Sequence, residues 1–415
     1  MEFTRYQLDN GLKLLVHQDK STPLVSVCMT YNVGTRNEQE GKSGFAHLFE
    51  HLMFGGSKNA PSFDDYIQQA GGENNAFTNQ DMTVYYEYMP CQNIEMALWL
   101  EADRMLSLNL NEKTLERERK VVLEEFKESC LNEPYGDIWH HIGPLAYQVH
   151  PYQVPTIGKI PKHIEEASLE DVKVFFDQFY CPNNAILSVS GNINPEEVFV
   201  LTQKWFGEIK KRKMPPTEMP LEPIQTEKRT LEVSANVPLD AIYLVFHSAE
   251  RNSTNYYIDD FITDVLAEGD ASQLYQSLVK EKEFFVNIDA YITASMDKGL
   301  LIVEGKLAEG ISLEEAEKAI WEELEQLKKH LLSDYAVEKF QNRIEHNLEF
   351  GEMNNLNKAI NLGYYELLGD AAMINEEKAK YNAITAADIQ RRSHELFQEF
   401  KASVLYYRAQ KSDKQ

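Results

Sequence analysis

The sequence is poor in positive charge, in cysteine and in long apolar runs. Its 41 lysines and arginines stand against 66 aspartates and glutamates, giving a net charge of −25. This balance argues against nucleic acid or an anionic membrane surface as a partner, because both need a positive face. No stretch approaches the roughly 20 apolar residues of a membrane span. We find neither Gly-rich motif typical of phosphate or dinucleotide binding.

The four cysteines are scattered and form no Cys-x-x-Cys pair. Reduced thiols are therefore expected rather than a disulfide framework. The first residues also lack the basic and apolar regions of a secretory signal peptide. Together these features predict a cytoplasmic protein.

The length of 415 residues predicts two domains of about 200 residues each. A Pro-rich, basic segment with little apolar periodicity, KKRKMPPTEMPLEPIQTEKR, is typical of a linker. We therefore predict an N-terminal domain over 1–212, a linker over 213–227 and a C-terminal domain over 228–415. Strand-like and helical patterns alternate in both halves, which indicates an α/β or α+β architecture.

The segment HLFEH holds the clearest chemical signal in the chain. His47 and His51 are four residues apart in a helical pattern predicted over 43–54, so both imidazoles face one side of the helix. Two histidines and a carboxylate form a common catalytic zinc set with one position left for water. Glu50, between them, is the candidate general base. A chance occurrence of this pattern in a chain of this length is on the order of a few per cent.

A third metal ligand is expected on the helix predicted over 112–131. Its candidates are Glu116, Glu118, Glu124, Glu125 and Glu128. Glu118 and Glu125 lie seven residues apart and share a helix face. The pattern does not choose among the five, and we expect at least three to lie on a solvated acidic face.

The two halves show a weak internal similarity. YNVGTRNE…FAHLFEHLMFGG aligns with FHSAERNS…IDDFITDVLAEG at an offset of 215 residues in the first part and 213 in the second. In that alignment, Asp260, Thr263 and Asp264 stand opposite His47, Glu50 and His51. The hypothesis is an internal duplication whose second copy keeps the fold without the metal site.

The segments HLFEHLMFGGS, NNAFTNQDMTVYYEYM, ERERKVVLEEFKE and HPYQVPTIGKI resemble the pitrilysin/insulysin family of zinc peptidases. This family includes the mitochondrial processing peptidases and small bacterial members, and the resemblance runs through the whole chain in order. It implies two homologous domains, each a mainly antiparallel sheet packed with helices. Such a chain is half of a clam shell that encloses a chamber. The implied activity is zinc-dependent hydrolysis of short or unfolded peptides, with one Zn²⁺ per subunit.

The resemblance also assigns roles within the site. His47 and His51 match the family's histidine ligands, and Glu50 matches its general base. Glu125 matches the third ligand. Glu118 matches a further glutamate of the catalytic motif, one that supports the site from behind the ligands.

The resemblance places the substrate on an edge strand near the metal. The residues implied to hold the peptide backbone are Asn75, Ala76, Phe77 and Thr78. For Phe77, core packing is an equally good interpretation. Peptides would bind by adding a strand to the sheet.

The second half departs from the family pattern. Single-chain active members carry an Arg and a Tyr seven residues apart, and the matching positions here are Lys280 and Asn287. Gln273 stands where many relatives have Arg. Asn287 would stabilise an oxyanion poorly, and Lys280 lacks the bidentate geometry of Arg. We therefore predict a heterodimer with a homologous subunit that lacks HxxEH and carries the Arg/Tyr pair. Alternatives are a homodimer, a non-catalytic core subunit, or a zinc hydrolase with another substrate.

Overall fold

The structure, a computed structural model, describes residues 1–215 and 218–410. The elements of the first half are β1 Thr4–Gln7, β2 Lys13–Gln18, β3 Leu24–Tyr31, α1 Phe45–Leu52, α2 Phe63–Gln69, β4 Glu73–Thr78, β5 Thr83–Pro90, α3 Ile94–Ser107, α4 Glu112–Phe126, α5 Ile138–Ala146, α6 Pro161–Glu165, α7 Leu169–Phe179, β6 Ala185–Gly191 and α8 Pro195–Phe206. Those of the second half are β7 Arg229–Ala235, β8 Ala241–His247, α9 Thr254–Ala267, β9 Phe285–Ile292, β10 Leu300–Leu307, α10 Leu313–Lys329, α11 Asp334–Gly351, α12 Asn355–Leu368, α13 Glu377–Asn382, α14 Ala386–Leu396 and β11 Ser403–Ala409.

The first compact unit is built on a six-stranded sheet. It comprises Met1–Glu128, Val154–Met219 and Leu348–Glu376, and its strands are ordered β1-β2-β6-β3-β5-β4. The pair β2–β6 is parallel and the other pairs are antiparallel. Strand β3 is buried from its second residue to its last, as expected for a strand covered on both faces. Strand β4 forms one edge of this sheet.

The second compact unit repeats this arrangement with five strands. It comprises Ser129–Gln153, Pro220–Asn347 and the described chain from residue 377 onward. Its strands are ordered β7-β11-β8-β10-β9, with β7–β11 parallel and the other pairs antiparallel. Read in chain order, β7, β8, β9, β10 and β11 correspond to β2, β3, β4, β5 and β6. The two units therefore share one topology, which confirms the prediction of two homologous, mainly antiparallel domains.

Each unit contains one helix from the opposite half of the sequence. Helix α12 packs on β3 and β6 in the first unit, where Leu362 joins Leu15 and Ile186 in a small apolar cluster. Helix α5 packs on β7, β8 and β11 in the second unit, contributing Ile142 and Ala146 to its core. In each half, the exchanged helix follows two long helices and precedes two shorter ones. The exchange is therefore part of the duplicated pattern.

A glycine permits the close packing of α12 on the first sheet. A Cβ atom at Gly363 would lie 2.4 Å from Thr30 Oγ1 and 3.2 Å from Ser188 Oγ. Thr30, Ser188 and their neighbour Ser26 are buried small polar residues on this face of the sheet. Small side chains on the strands and a missing side chain on the helix together bring the two backbones close.

The compact units differ from the division expected from the sequence. A split into 1–212 and 228–415 places α5 and α12 with their own halves of the sequence, whereas in the structure each packs in the other unit. The segments that lead into and out of these two helices have no linker-like composition, so the sequence does not mark the exchange. One passage between the units, after Met219, falls inside the expected linker 213–227. Residues 216 and 217 of that linker lie outside the described residues. Across the described ranges, no helix combines the length and apolarity needed to span a bilayer.

Candidate metal centre

Helix α1 is held in place by its aromatic face. Phe45, Leu48, Phe49 and Leu52 are buried, and the Phe49 ring stacks 5.0 Å from the Phe175 ring. Burial of apolar area and ring stacking both stabilise the packing of this face of α1. His47, Glu50 and His51 remain partly exposed beside that face.

Helix α4 lies against α1 and carries the candidate carboxylates. The Asn111 side chain begins the helix by accepting hydrogen bonds from the backbone N–H groups of Lys113 and Thr114 at 3.0 and 3.1 Å, as expected of an N-cap. Gly55, just after α1, lets the two helices approach: a Cβ there would lie 2.6 Å from Thr114 Cγ2. Gly55 therefore provides room for α4 beside α1.

Three side chains from these helices converge on one point. His47 Nε2 and His51 Nε2 are 3.4 Å apart. Glu125 places one oxygen 3.6 Å from His47 Nε2 and the other 3.4 Å from His51 Nε2. Ligands about 2.0–2.2 Å from a tetrahedral zinc ion lie about 3.3–3.6 Å from one another. The residues therefore fit three ligands of a single ion, with a fourth position left for water.

The charge states of these groups suit a metal. Burial lowers the pKa of His47 to about 4, which leaves the neutral ring that ligation requires. The hydrogen bond with His51 lowers the pKa of Glu125 and keeps it ionised. Burial lowers the pKa of His51, but the hydrogen bond and charge of Glu125 outweigh burial and raise it overall.

Glu50 faces the edge strand rather than the three donors. Its carboxyl accepts hydrogen bonds from both the side chain and the backbone of Thr78, at the end of β4. Burial raises the pKa of Glu50, and these two bonds act against that rise. This contact links the candidate base to the candidate substrate strand, and no sequence pattern predicted it. Asn75, Ala76 and Phe77 precede Thr78 along β4.

The five candidate glutamates, on α4 and on the π-helical turn that follows it, differ in exposure. Glu116, Glu124 and Glu128 are exposed, which confirms the expectation of a solvated acidic face. Glu118 is buried, pairs with Arg117 Nε at 2.6 Å, and lies close enough for its charge to raise the pKa of His51. Glu118 therefore acts on His51 through its charge, whereas Glu125 is itself one of the three donors.

The corresponding positions of the second unit hold no such set. Asp260 accepts a 2.6 Å hydrogen bond from the Tyr381 hydroxyl, and Asp264 is half-buried one turn later on α9. Among the described residues, His47, His51 and Glu125 form the one group of three or more His, Cys, Asp or Glu side chains with metal-ligand spacing. Where α1 presents two histidines, α9 presents two aspartates, Asp260 and Asp264.

Glu38 is a further residue that the sequence patterns did not single out. Its carboxyl accepts hydrogen bonds from the backbone at the start of α1. The available signal was its place in the repeat alignment, opposite Ser253, a residue type that commonly begins helices.

A duplicated α/β unit with an inverted His-x-x-Glu-His helix and a facing glutamate helix places the chain in the class of inverted zinc-peptidase folds. Comparison with models of known protein families agrees with this class. Residues 13–157 match the model described as Insulinase (Peptidase family M16), and residues 166–344 match Peptidase M16 inactive domain. The chain belongs to the M16 peptidase family.

Individual relatives are similar along most of the chain. The zinc protease PqqE of Helicobacter pylori is 30% identical over 409 residues, covering 96% of this chain and 91% of that protein. The crystal structure of a protease from Helicobacter pylori superimposes with a TM-score of 0.93 at 29% identity, covering 98% and 99% of the two chains. The probable mitochondrial-processing peptidase subunit beta of Schizosaccharomyces pombe is 30% identical over 207 residues, covering 49% and 44%.

Proposed function

We propose that the chain is a zinc-dependent endopeptidase that hydrolyses short or unfolded peptides. The observation that carries this proposal is the convergence of His47, His51 and Glu125 at the spacing of one tetrahedral ion. The named function of the relative from Helicobacter pylori, a zinc protease, supports it. One Zn²⁺ in each chain would be held by these three residues.

A zinc ion held by His47, His51 and Glu125 would supply Lewis-acid polarisation of the scissile carbonyl. Glu50 accepts a proton from the attacking water and returns it to the leaving amine. Thr78 orients the Glu50 carboxyl through its two hydrogen bonds. Glu118 steadies His51 electrostatically from behind.

The substrate is proposed to bind along β4. This strand pairs with β5 on one side and forms the edge of the sheet on the other, so its outer backbone groups are available to an extended peptide. Asn75, Ala76, Phe77 and Thr78 would form that contact. Because Thr78 also holds Glu50, a peptide on β4 would lie next to the base.

The partner is proposed to be a homologous subunit. Lys280 Nζ lies 5.3 Å from the centre of the Tyr275 ring, and Asn287 is exposed on β9, the edge strand of the second sheet. Neither residue supplies the Arg and Tyr groups of single-chain active members. The alternatives are a homodimer and a non-catalytic core subunit, because Lys280 and Asn287 replace the Arg/Tyr pair in this chain. The proposed compartment is the cytoplasm, in keeping with four cysteines that form no disulfide.

The test of catalysis is Glu50→Gln. Zinc content should stay at one per chain, because Glu50 lies outside the three donors, while cleavage of an unstructured peptide mixture falls at least about 100-fold. Glu124→Gln, an exposed change on α4, is the matched control. Cleavage unchanged by Glu50→Gln would reject the assignment. Absence of cleavage by the wild type with every homologous partner would favour the core-subunit alternative.

The test of the partner is cleavage by the chain alone and with a homologous chain that carries the Arg/Tyr pair. We expect weak cleavage alone and strong cleavage in the mixture. The double variant Lys280→Arg/Asn287→Tyr should raise cleavage by the chain alone. Full activity of the unmodified chain alone would overturn the heterodimer.

A further inference from the structure

The helix that carries HLFEH begins without a side-chain cap of its own. Its N-cap residue is Gly44, in the left-handed region with φ 85°, and no side chain at that position accepts a hydrogen bond. The N–H groups of a helix's first turn need partners from elsewhere. An α1 of eight residues has few internal hydrogen bonds to compensate, so the source of those partners matters for the whole helix.

Glu38 supplies them from six residues upstream. Its Oε2 accepts from the Gly44 N–H at 2.9 Å and its Oε1 from the Ala46 N–H at 2.8 Å. The Phe45 backbone also donates to this carboxyl. Burial raises the pKa of Glu38 to about 8 and the three N–H groups act against that rise, but both the acid and the carboxylate offer oxygen lone pairs to these donors.

The second unit supports a role for this position in starting the helix. Ser253, opposite Glu38 in the repeat alignment, is the N-cap of α9 and its side chain accepts from the Asn255 N–H. Phe45 aligns with Ile258, so α9 begins one turn earlier than α1. In the first unit, the loop 39–44 replaces that turn, and the longer Glu38 side chain spans the loop to reach the same backbone groups.

The loop that Glu38 closes is itself anchored. Ser43 Oγ lies 2.7 Å from His163 Nδ1 and accepts from the Lys159 N–H at 2.7 Å. At Gly44, a Cβ would lie 2.8 Å from the Ile157 carbonyl oxygen. The start of α1 is therefore tied to the segment 157–163 through the loop, and to Glu38 through the carboxyl. The last N–H that Glu38 binds belongs to the residue immediately before His47.

We propose that Glu38 is a positioning residue for the metal donors, because it sets where α1 begins and so how His47 and His51 face Glu125. This inference rests on the proposed zinc function. Each helical residue turns by about 100° and rises about 1.5 Å. Fraying of the first turn would therefore swing His47 out of reach of Glu125, while His51, one turn later, moves less.

The test compares Glu38→Ala, Glu38→Gln and, as the matched control, Glu40→Gln, an exposed glutamate in the same loop. Zn²⁺ affinity is measured by competition with a chromophoric chelator, and the geometry by the visible spectrum of the Co²⁺-loaded protein. We expect affinity about 10–100-fold weaker for Glu38→Ala, an intermediate loss for Glu38→Gln, which keeps one acceptor oxygen, and no change for Glu40→Gln. Wild-type affinity and an unchanged spectrum in Glu38→Ala would overturn the proposal.

Hydrogen exchange without added metal separates this inference from the zinc function. Glu38→Ala should speed exchange in a peptide covering residues 45–52 and leave one covering α2 unchanged. If the wild type binds no zinc, the proposed function fails, and faster exchange still shows that Glu38 holds α1. Unchanged exchange over 45–52 would refute the role of Glu38 in either case.

Discussion

Replacing Gly363 with alanine should reverse the usual effect of that substitution in a helix. Alanine normally stabilises a helix interior by about 0.5–1 kcal/mol relative to glycine. Here the new methyl group would lie 2.4 Å from Thr30 Oγ1 and 3.2 Å from Ser188 Oγ, and both residues are fully buried, so neither side chain has free space to turn into. Overpacking of a tight core costs about 1–3 kcal/mol. The balance is a net destabilisation of about 1–2 kcal/mol.

The assay is thermal unfolding followed by circular dichroism. A loss of that size lowers the midpoint by roughly 2–8 °C for a unit of about 200 residues. Gly351→Ala is the control, since a Cβ at that helical glycine meets nothing within 4 Å. Adding Thr30→Ala to Gly363→Ala should recover at least half of the loss, because Thr30 Oγ1 has no hydrogen-bond partner to lose. A higher midpoint for Gly363→Ala, or no recovery in the double variant, would refute the close packing of α12 on the sheet.

Three further predictions concern the site and its counterpart. Glu125→Gln should weaken zinc binding by more than about 100-fold and abolish the thermal stabilisation that added zinc gives the wild type; equal stabilisation in both would remove Glu125 from the donor set. Thr78→Val should lower kcat while zinc binding stays at the wild-type level, because valine lacks the hydroxyl that bonds Glu50, and Thr78→Ser, which keeps the hydroxyl, should retain kcat; a normal kcat for Thr78→Val would show that the backbone bond suffices. Burial, followed by the charge of a neighbouring aspartate, raises the pKa of Asp264 from 3.8 to about 6. Because the folded pKa lies above the unfolded one, the stabilisation present below pH 4 is lost as the pH rises through 6. Asp264→Asn should therefore raise the free energy of unfolding at pH 8 by about 1–3 kcal/mol, whereas the exposed Asp270→Asn should not, and equal effects of the two would contradict the burial argument.

Local pattern was enough to predict most of the elements. The helix predicted over 43–54 is α1, Phe45–Leu52. The helix predicted over 112–131 ends as α4 at Phe126 and continues as a π-helix over Lys127–Asn132. That change of winding depends on tertiary packing, which a single-helix pattern does not encode.

Non-local features were beyond the reach of the sequence. The exchange of α5 and α12 leaves each helix with an ordinary amphipathic pattern, which says which face is buried but not on which sheet. For the site, periodicity placed Glu118 and Glu125 on one face of α4, and only the family resemblance chose between them. The contacts of Thr78 with Glu50 and of Glu38 with Ala46 join residues from separate elements. Such pairs become visible only when the sheet has brought those elements together.

The exchanged helices also bear on how the chain is made. The last strand of the first sheet ends at Gly191, but helix α12, which packs on one face of that sheet, ends at Leu368. At ribosomal rates of about 5–20 residues per second, roughly 10–35 s pass between their synthesis. During that interval, the face of the sheet on which α12 later packs is not covered by that helix. The first unit, which holds the candidate metal centre, can therefore complete its packing only after residues 355–368 have been made.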